Sequence, residues 1–306
     1  MTGGADVRIV EVGPRDGLQN EKWVVPARQR VLLIDTLSKT GLSAIEAGSF
    51  VSPRHVPQMA NTDAVLAGIR RAAGVRYPVL VPNAIGMERA VAAGADEVAV
   101  FLSATEGFSR HNINCSIAES FDRAAVVIDG ARQHGIPVRG YVSCVLGCPY
   151  EKDVPLAAVV RVAERLAAMG CYEISLGDTI GAGRPEQARA MVRAVARAVP
   201  AEMLAVHFHD TGDRALDNVR ACLEEGISVV DSAVGGLGGC PYAPGASGNL
   251  ATEDLVDMLG ALGVRSGVDM GMLLDAVGVV ETILGIPPRS KLWLDRLKRR
   301  PAAWQG

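Results

Sequence analysis

The chain is expected to fold as a parallel (β/α)8 TIM barrel with additional helices flanking it at the C-terminal end. Eight short apolar runs bounded by turn residues recur over the first 240 residues or so, and most are followed by an Ala-rich stretch of helical period. Strand then helix, repeated eight times, is the signature of that barrel. After Asn249 the pattern changes to helices alone. A doubly wound open sheet is the alternative, but it usually has fewer strands and often a Gly-rich phosphate turn after the first, where this chain has Gly13-Pro-Arg-Asp-Gly17.

In chain order, the strand runs are Val7–Val12, Ala44–Ala47, Tyr77–Val81, Glu97–Leu102, Val138–Ser143, Tyr172–Leu176, Leu204–Phe208 and Ser228–Ala233. Helical periodicity falls between them at Pro26–Thr40, Thr62–Ala73, Ile117–His134, Leu156–Met169, Pro185–Val199 and Asp213–Glu225. The tail carries Thr252–Leu262, Met270–Leu284 and a charged segment, Lys291–Arg300. No linker is long or polar enough to mark a second domain. A single catalytic domain over 1–306 is expected, with the barrel over about 7–250 and the helical extension over about 251–306.

Bulk properties exclude several classes. With 306 residues and 49% hydrophobic letters the chain can bury a full core. Net charge is −3 and the pI about 6.0, and the only basic cluster, Lys298-Arg299-Arg300, is short and terminal, so no nucleic-acid partner is expected. The N-terminus lacks the features of a signal peptide, and no stretch has the roughly 18 apolar residues of a membrane span. A soluble cytoplasmic protein without a membrane partner follows. Six cysteines, with no CxxC pair, read as reduced thiols.

Chemistry in such a barrel belongs at the C-terminal ends of the strands, and reactive residues cluster there. The first run ends in Glu11-Val-Gly-Pro-Arg15-Asp16-Gly17, the second carries Glu46, the sixth leads into Asp178-Thr179, and the seventh is Val206-His-Phe-His-Asp210. His207 and His209, two apart on a strand, share a face, and two adjacent imidazoles are naturally stabilised by a common cation. Asp16, Asp178 and Asn249 are candidate oxygen ligands. Imidazole and oxygen donors without a thiolate suit Mg²⁺ or Mn²⁺ with open positions better than closed tetrahedral Zn²⁺. Arg15 has two compatible readings: a cation facing a developing enolate oxygen, or an ion pair with Glu46.

Two segments share the letters Gly-Cys-Pro-Tyr. Gly147-Cys-Pro-Tyr150 follows the fifth strand as an ordered corner, which makes Cys148 structural. Cys240 lies among glycines at 235, 236, 238, 239, 245 and 248, which reads either as a mobile lid carrying a proton-transfer thiol or as a glycine-rich connection with an incidental cysteine.

The segments EVGPRDGLQNEK (11–22), GLSAIEAGSFVSP (41–53), SLGDTIG (175–181), VHFHDT (206–211) and GLGGCPYAPGASGNLATED (236–254) closely resemble the 3-hydroxy-3-methylglutaryl-CoA lyase family, over about Val7 to Ile286. Isopropylmalate and homocitrate synthases share the barrel and metal logic but are less similar around Cys240. The resemblance implies retro-Claisen cleavage of the acyl-CoA thioester to acetyl-CoA and acetoacetate, in the setting of leucine degradation, by a homodimer. It implies a divalent ion on Asp16, His207, His209 and Asn249, with Arg15 at the acyl carbonyl and Cys240 protonating the acetyl-CoA enolate. Asp16 would assist deprotonation of the substrate hydroxyl, with His207 as the alternative. Gln19, Glu46, Asp178 and Glu253 match active-site or supporting positions. The chain departs from the family at Asp210-Thr-Gly-Asp-Arg214, where Asp-Thr-Tyr-Gly-Gln is usual, and at Arg54-His55, where Lys-Trp is frequent. As βα loops they are expected to border the acyl group, so a lyase for a longer or differently substituted 3-hydroxyacyl-CoA, or a synthase condensing acetyl-CoA with a 2-oxo acid, stands as an alternative.

Overall fold

The structure is a computed structural model describing residues 6–238 and 248–299. Eight strands form it: β1 (Arg8–Glu11), β2 in two pieces (Ala44–Ile45 and Gly48–Ser49), β3 (Val79–Leu80), β4 (Val98–Ser103), β5 (Val138–Ser143), β6 (Glu173–Asp178), β7 (Leu204–Phe208) and β8 (Val229–Ser232). All pairings between them are parallel, in the order β2-β1-β8-β7-β6-β5-β4-β3. The first piece of β2 pairs with β1 and the second with β3, so the ring closes on β2. Successive amides of that segment point to opposite neighbours: Ile45 donates to Arg76, Glu46 to Glu11 and Ala47 to Pro78. β6 and β7 are buried at every residue, as parallel strands must be when helices cover one face and the interior fills the other.

Helices follow the strands: α1 (Ala27–Leu37), α2 (Thr62–Gly68), α3 (Ala84–Ala92), α4 (Glu106–Ile113), α5 (Ile117–Gln133), α6 (Leu156–Met169), α7 (Pro185–Val195) and α8 (Ala215–Leu223). The eight apolar runs are the eight strands, and the expected barrel is observed. Helix ends differ. α1 stops at Leu37 because Ser38 and Thr40 turn their hydroxyls back onto the carbonyls of Ile34 and Leu37. α2 stops at Gly68, where Ile69 becomes extended and the Arg70 amide donates to Asp35.

Beyond the barrel, α9 (Thr252–Ala261) and α10 (Met270–Leu284) pack together, and α10 lies along α1. Leu273, Ala276, Val277 and Val280 give α10 its buried stripe. α11 (Lys291–Arg299) is seated by buried Trp293 and by Asp254, whose two oxygens accept the amides of Lys291 and Leu292 at its first turn. Among the described residues no helix is long and apolar enough to cross a membrane.

Candidate active site

At the C-terminal end of β1 the chain makes one π-type turn, Gly13–Gly17, held against the second piece of β2 and the loop that follows β8. A Cβ on Gly17 would lie 2.6 Å from the Leu237 Cβ, so only glycine allows the approach. The turn delivers Arg15 and Asp16 to the barrel mouth. Arg15 Nε donates to Glu46 Oε2 at 2.7 Å and its Nη1 to Asp16 Oδ1 at 2.6 Å. The ion pair expected of Arg15 is therefore present, with Asp16 as a second partner.

His207 on β7 and His209 just beyond it bring their rings to 5.6 Å, and each offers a nitrogen that, with an Asp16 oxygen, forms a set within 4.8 Å. Asn249 completes the group: its Nδ2 donates to Asp16 Oδ2 at 3.0 Å and to the Leu237 carbonyl at 3.1 Å. Two atoms here have no hydrogen-bond partner among the described residues, Asn249 Oδ1 and His209 Nδ1, although both are buried. Orphaned polar atoms of this kind carry a desolvation cost that a ligand removes. Two imidazoles, one carboxylate and one amide oxygen fit a divalent cation that prefers nitrogen and oxygen donors.

The electrostatics agree. Burial alone would raise Asp16, but Arg15, then His207 and His209, outweigh it and hold the carboxylate at about 2. Burial, with neighbouring His207, lowers His209 to about 4, so it is neutral at physiological pH and available as a ligand. His207 is raised, because its bond to Asp231 and the charge of Asp16 exceed the effect of burial.

These groups form the floor of a cavity of about 790 Å³, within the range of small-molecule sites. Gln19 and Tyr141 line it near Arg15, His55 lies on its wall, and Asn83, His111 and Arg123 also border it. His55 belongs to one of the two segments in which the sequence departs from the family it resembles.

The other anticipated residues sit around this floor. Glu46 is buried beneath Arg15. Asp178, at the end of β6, accepts the amides of Ala182 and Gly183, and is not among the cavity's lining residues. Glu253 accepts the amide of Gly235 and supports the base of the segment leading to Cys240. Cys240 itself lies outside the described residues. Cys148 is buried, with its sulfur receiving bonds from Thr105 Oγ1 and the Glu151 amide, as befits a structural corner.

Sequence reasoning missed a polar layer inside the barrel. Arg139 and Tyr141 on β5, Glu173 and Ser175 on β6 and Asp231 on β8 project inward below the histidines. The Arg15 and Arg139 guanidinium groups lie 5.4 and 4.9 Å from the Tyr141 ring centroid. The available signal was a polar residue at alternate positions of strands otherwise read as apolar.

Known proteins match this arrangement over nearly the whole chain. The HMGL-like family model matches residues 6–280. Hydroxymethylglutaryl-CoA lyase, mitochondrial, of Gallus gallus is 59% identical over 269 residues, which are 88% of this chain and 90% of that one. The crystal structure of hydroxymethylglutaryl-CoA lyase from Pseudomonas aeruginosa superposes with a TM-score of 0.95 at 52% identity, covering 98% of this chain and 100% of the other. An HMG-CoA lyase from Acinetobacter baumannii, solved in complex with coenzyme A and 3-methylmalate, gives a TM-score of 0.91 at 37% identity, covering 100% and 99%. This chain belongs to the HMGL-like family, alongside the hydroxymethylglutaryl-CoA lyases.

Proposed function

We propose that this chain cleaves 3-hydroxy-3-methylglutaryl-CoA to acetyl-CoA and acetoacetate, using Mg²⁺ or Mn²⁺ held by Asp16, His207, His209 and Asn249. The observation that carries this reading is the convergence of Asp16, His207 and His209 within 4.8 Å beside the doubly paired Arg15. When bound, such an ion acidifies the 3-hydroxyl and polarises the acyl carbonyl.

The residues supply the rest. The hydroxyl proton leaves to the Asp16 and His207 pair, whose Oδ2 and Nε2 lie 3.9 Å apart. His207 would hold the ion through Nε2 and bonds Asp231 through Nδ1, which leaves it no lone pair, so the Asp16 carboxylate takes the proton. The carbon–carbon bond then breaks, the alkoxide becomes the ketone of acetoacetate, and the electron pair passes into the thioester enolate. Arg15, oriented by Glu46, faces that enolate oxygen with a permanent charge. Cys240 gives its proton to the enolate carbon, completing acetyl-CoA; this role rests on the family resemblance.

A second reading, a lyase for a longer or differently substituted 3-hydroxyacyl-CoA, is favoured by His55 on the cavity wall. One assay separates the two: acetyl-CoA release from a panel of 3-hydroxyacyl-CoA thioesters, with and without Mg²⁺ and after exhaustive chelation. The first reading requires the highest kcat/KM for the hydroxymethylglutaryl thioester and loss of turnover on chelation. A higher kcat/KM for a longer thioester supports the second, and full turnover without metal overturns the metal assignment in both.

A further inference from the structure

Asp231 stands directly across from His207 in the register of β7 and β8 and is 1% exposed. Its Oδ2 lies 3.3 Å from His207 Nδ1 and accepts from Ser175 Oγ at 2.7 Å. Arg139 grips both oxygens, Nη1 to Oδ2 at 3.0 Å and Nη2 to Oδ1 at 2.7 Å. Arg139 is itself 1% exposed and cannot swing away: its Nε donates to Glu173 and its Nη1 to the Tyr141 hydroxyl. Glu173 is held in turn by Arg8, at the N-terminal end of β1. An unbroken line of charge-assisted bonds thus fixes one carboxylate beneath one imidazole.

The neighbouring imidazole has nothing equivalent, since His209 Nδ1 is buried without a partner among the described residues. The two histidines are therefore not interchangeable. A carboxylate is an acceptor only, so the Asp231 contact requires the proton of neutral His207 to sit on Nδ1. That leaves the Nε2 lone pair free on the side where Asp16 Oδ2 lies 3.9 Å away.

We propose that Asp231, clamped by Arg139 and Ser175, is the positioning residue that fixes the tautomer and orientation of His207. The inference rests on the metal-site reading above and adds to it a residue that touches neither substrate nor ion. The competing explanation is that Asp231 serves only as counter-charge to buried Arg139.

Asp231→Asn separates these, because the amide keeps the shape and an acceptor for Arg139 while offering His207 a donor where it had an acceptor. Metal affinity is read by titration of the protein with Mn²⁺ alone, and the tautomer by long-range ¹H–¹⁵N NMR of ¹⁵N-histidine-labelled, metal-free protein, with the His207 signals assigned from their loss in His207→Gln. Positioning requires the Nδ1–H form of His207 in the native protein and about 10- to 100-fold weaker Mn²⁺ binding in Asp231→Asn. Ser175→Ala, which removes one bond to Asp231 but not its charge, keeps Mn²⁺ affinity within about threefold of native, given a net worth of about 1 kcal/mol for one such bond. An Nε2–H tautomer in the native protein overturns the proposal, and needs no variant to fold. Unchanged Mn²⁺ affinity in a folded Asp231→Asn overturns it as well, leaving the counter-charge role. Failure of the native protein to bind Mn²⁺ would instead count against the metal reading, while the native tautomer still decides the role of Asp231.

Discussion

Arg15 and Glu46 form an ion pair from which water is almost wholly excluded: Nε and Oε2 are 2.7 Å apart, and the residues are 5% and 0% exposed. Breaking such a pair from one side leaves the other charge buried, at a typical cost of about 3–5 kcal/mol. Arg15 keeps Asp16 as a partner, so Glu46→Ala is expected at the lower end, about 3 kcal/mol. Urea unfolding measures this, and a loss below about 1 kcal/mol would show that Asp16 alone compensates the charge.

His209→Ala should remove bound ion and activity together while leaving the barrel folded. His209 touches the proposed site through its ring and otherwise leaves Nδ1 unsatisfied, so truncation relieves a buried orphan instead of creating one. Elemental analysis of the purified variant should find well under one equivalent of divalent metal, with an unchanged circular dichroism spectrum. Stoichiometric metal in the variant would remove His209 from the ligand set.

The two cysteines of the Gly-Cys-Pro-Tyr segments should behave differently. Cys240→Ser is expected to keep metal while kcat falls by roughly 10²- to 10⁴-fold, the usual scale for losing a proton-transfer group. Cys148→Ser replaces a buried sulfur that only receives bonds from Thr105 and Glu151, and turnover should stay within about twofold, with the cost appearing in stability. Parallel loss of kcat in both variants would remove the distinction.

Stability should depend on pH through Glu11. This carboxyl is fully buried; burial raises it to about 7, against the lowering effect of its bonds from Thr252, Val234 and Gly13. Its folded value lies above the ordinary 4.5, so its contribution is complete below about pH 4.5 and is lost as pH rises through about 7. Glu11→Gln removes the titration and keeps the neutral shape, the Thr252 hydroxyl turning to accept from the new amide. The stability advantage of the native chain over the variant should therefore shrink by about 3 kcal/mol across that window, as 1.36 kcal/mol per pH unit implies. Parallel urea-derived stability curves for the two proteins from pH 4.5 to 7.5 would refute this.

The barrel was legible because its strands are short apolar runs separated by Ala-rich amphipathic helices, and the site because its residues sit at strand ends, as His207, His209, Asp16 and Asn249 do. What escaped had no local pattern. The carboxylate that holds His207 lies 24 residues away, and its own partner Arg139 is 92 residues from it, so only the register of adjoining strands reveals them. α4 escaped for a different reason: Glu106–Ile113 buries only Phe108 and Ser109, and ends at Asn114 with φ of 50°, so it carries no apolar stripe to detect. The break in β2 was invisible because it falls where the segment changes ladder partner, from β1 at Ala44–Ile45 to β3 at Gly48–Ser49, which no local residue pattern marks.

Glu11 gives the barrel a direction in time. Its oxygens accept from Gly13, its near neighbour, but also from Val234 and Thr252, which are 223 and 241 residues further along the chain. A nascent chain emerging from the ribosome presents β1 before β8, and this carboxyl then waits in water until Val234 and Thr252 have been synthesised. Closing so long a loop is among the slowest contacts a chain can make. Until then, the edge of the first strand that pairs with β8 is open to other chains.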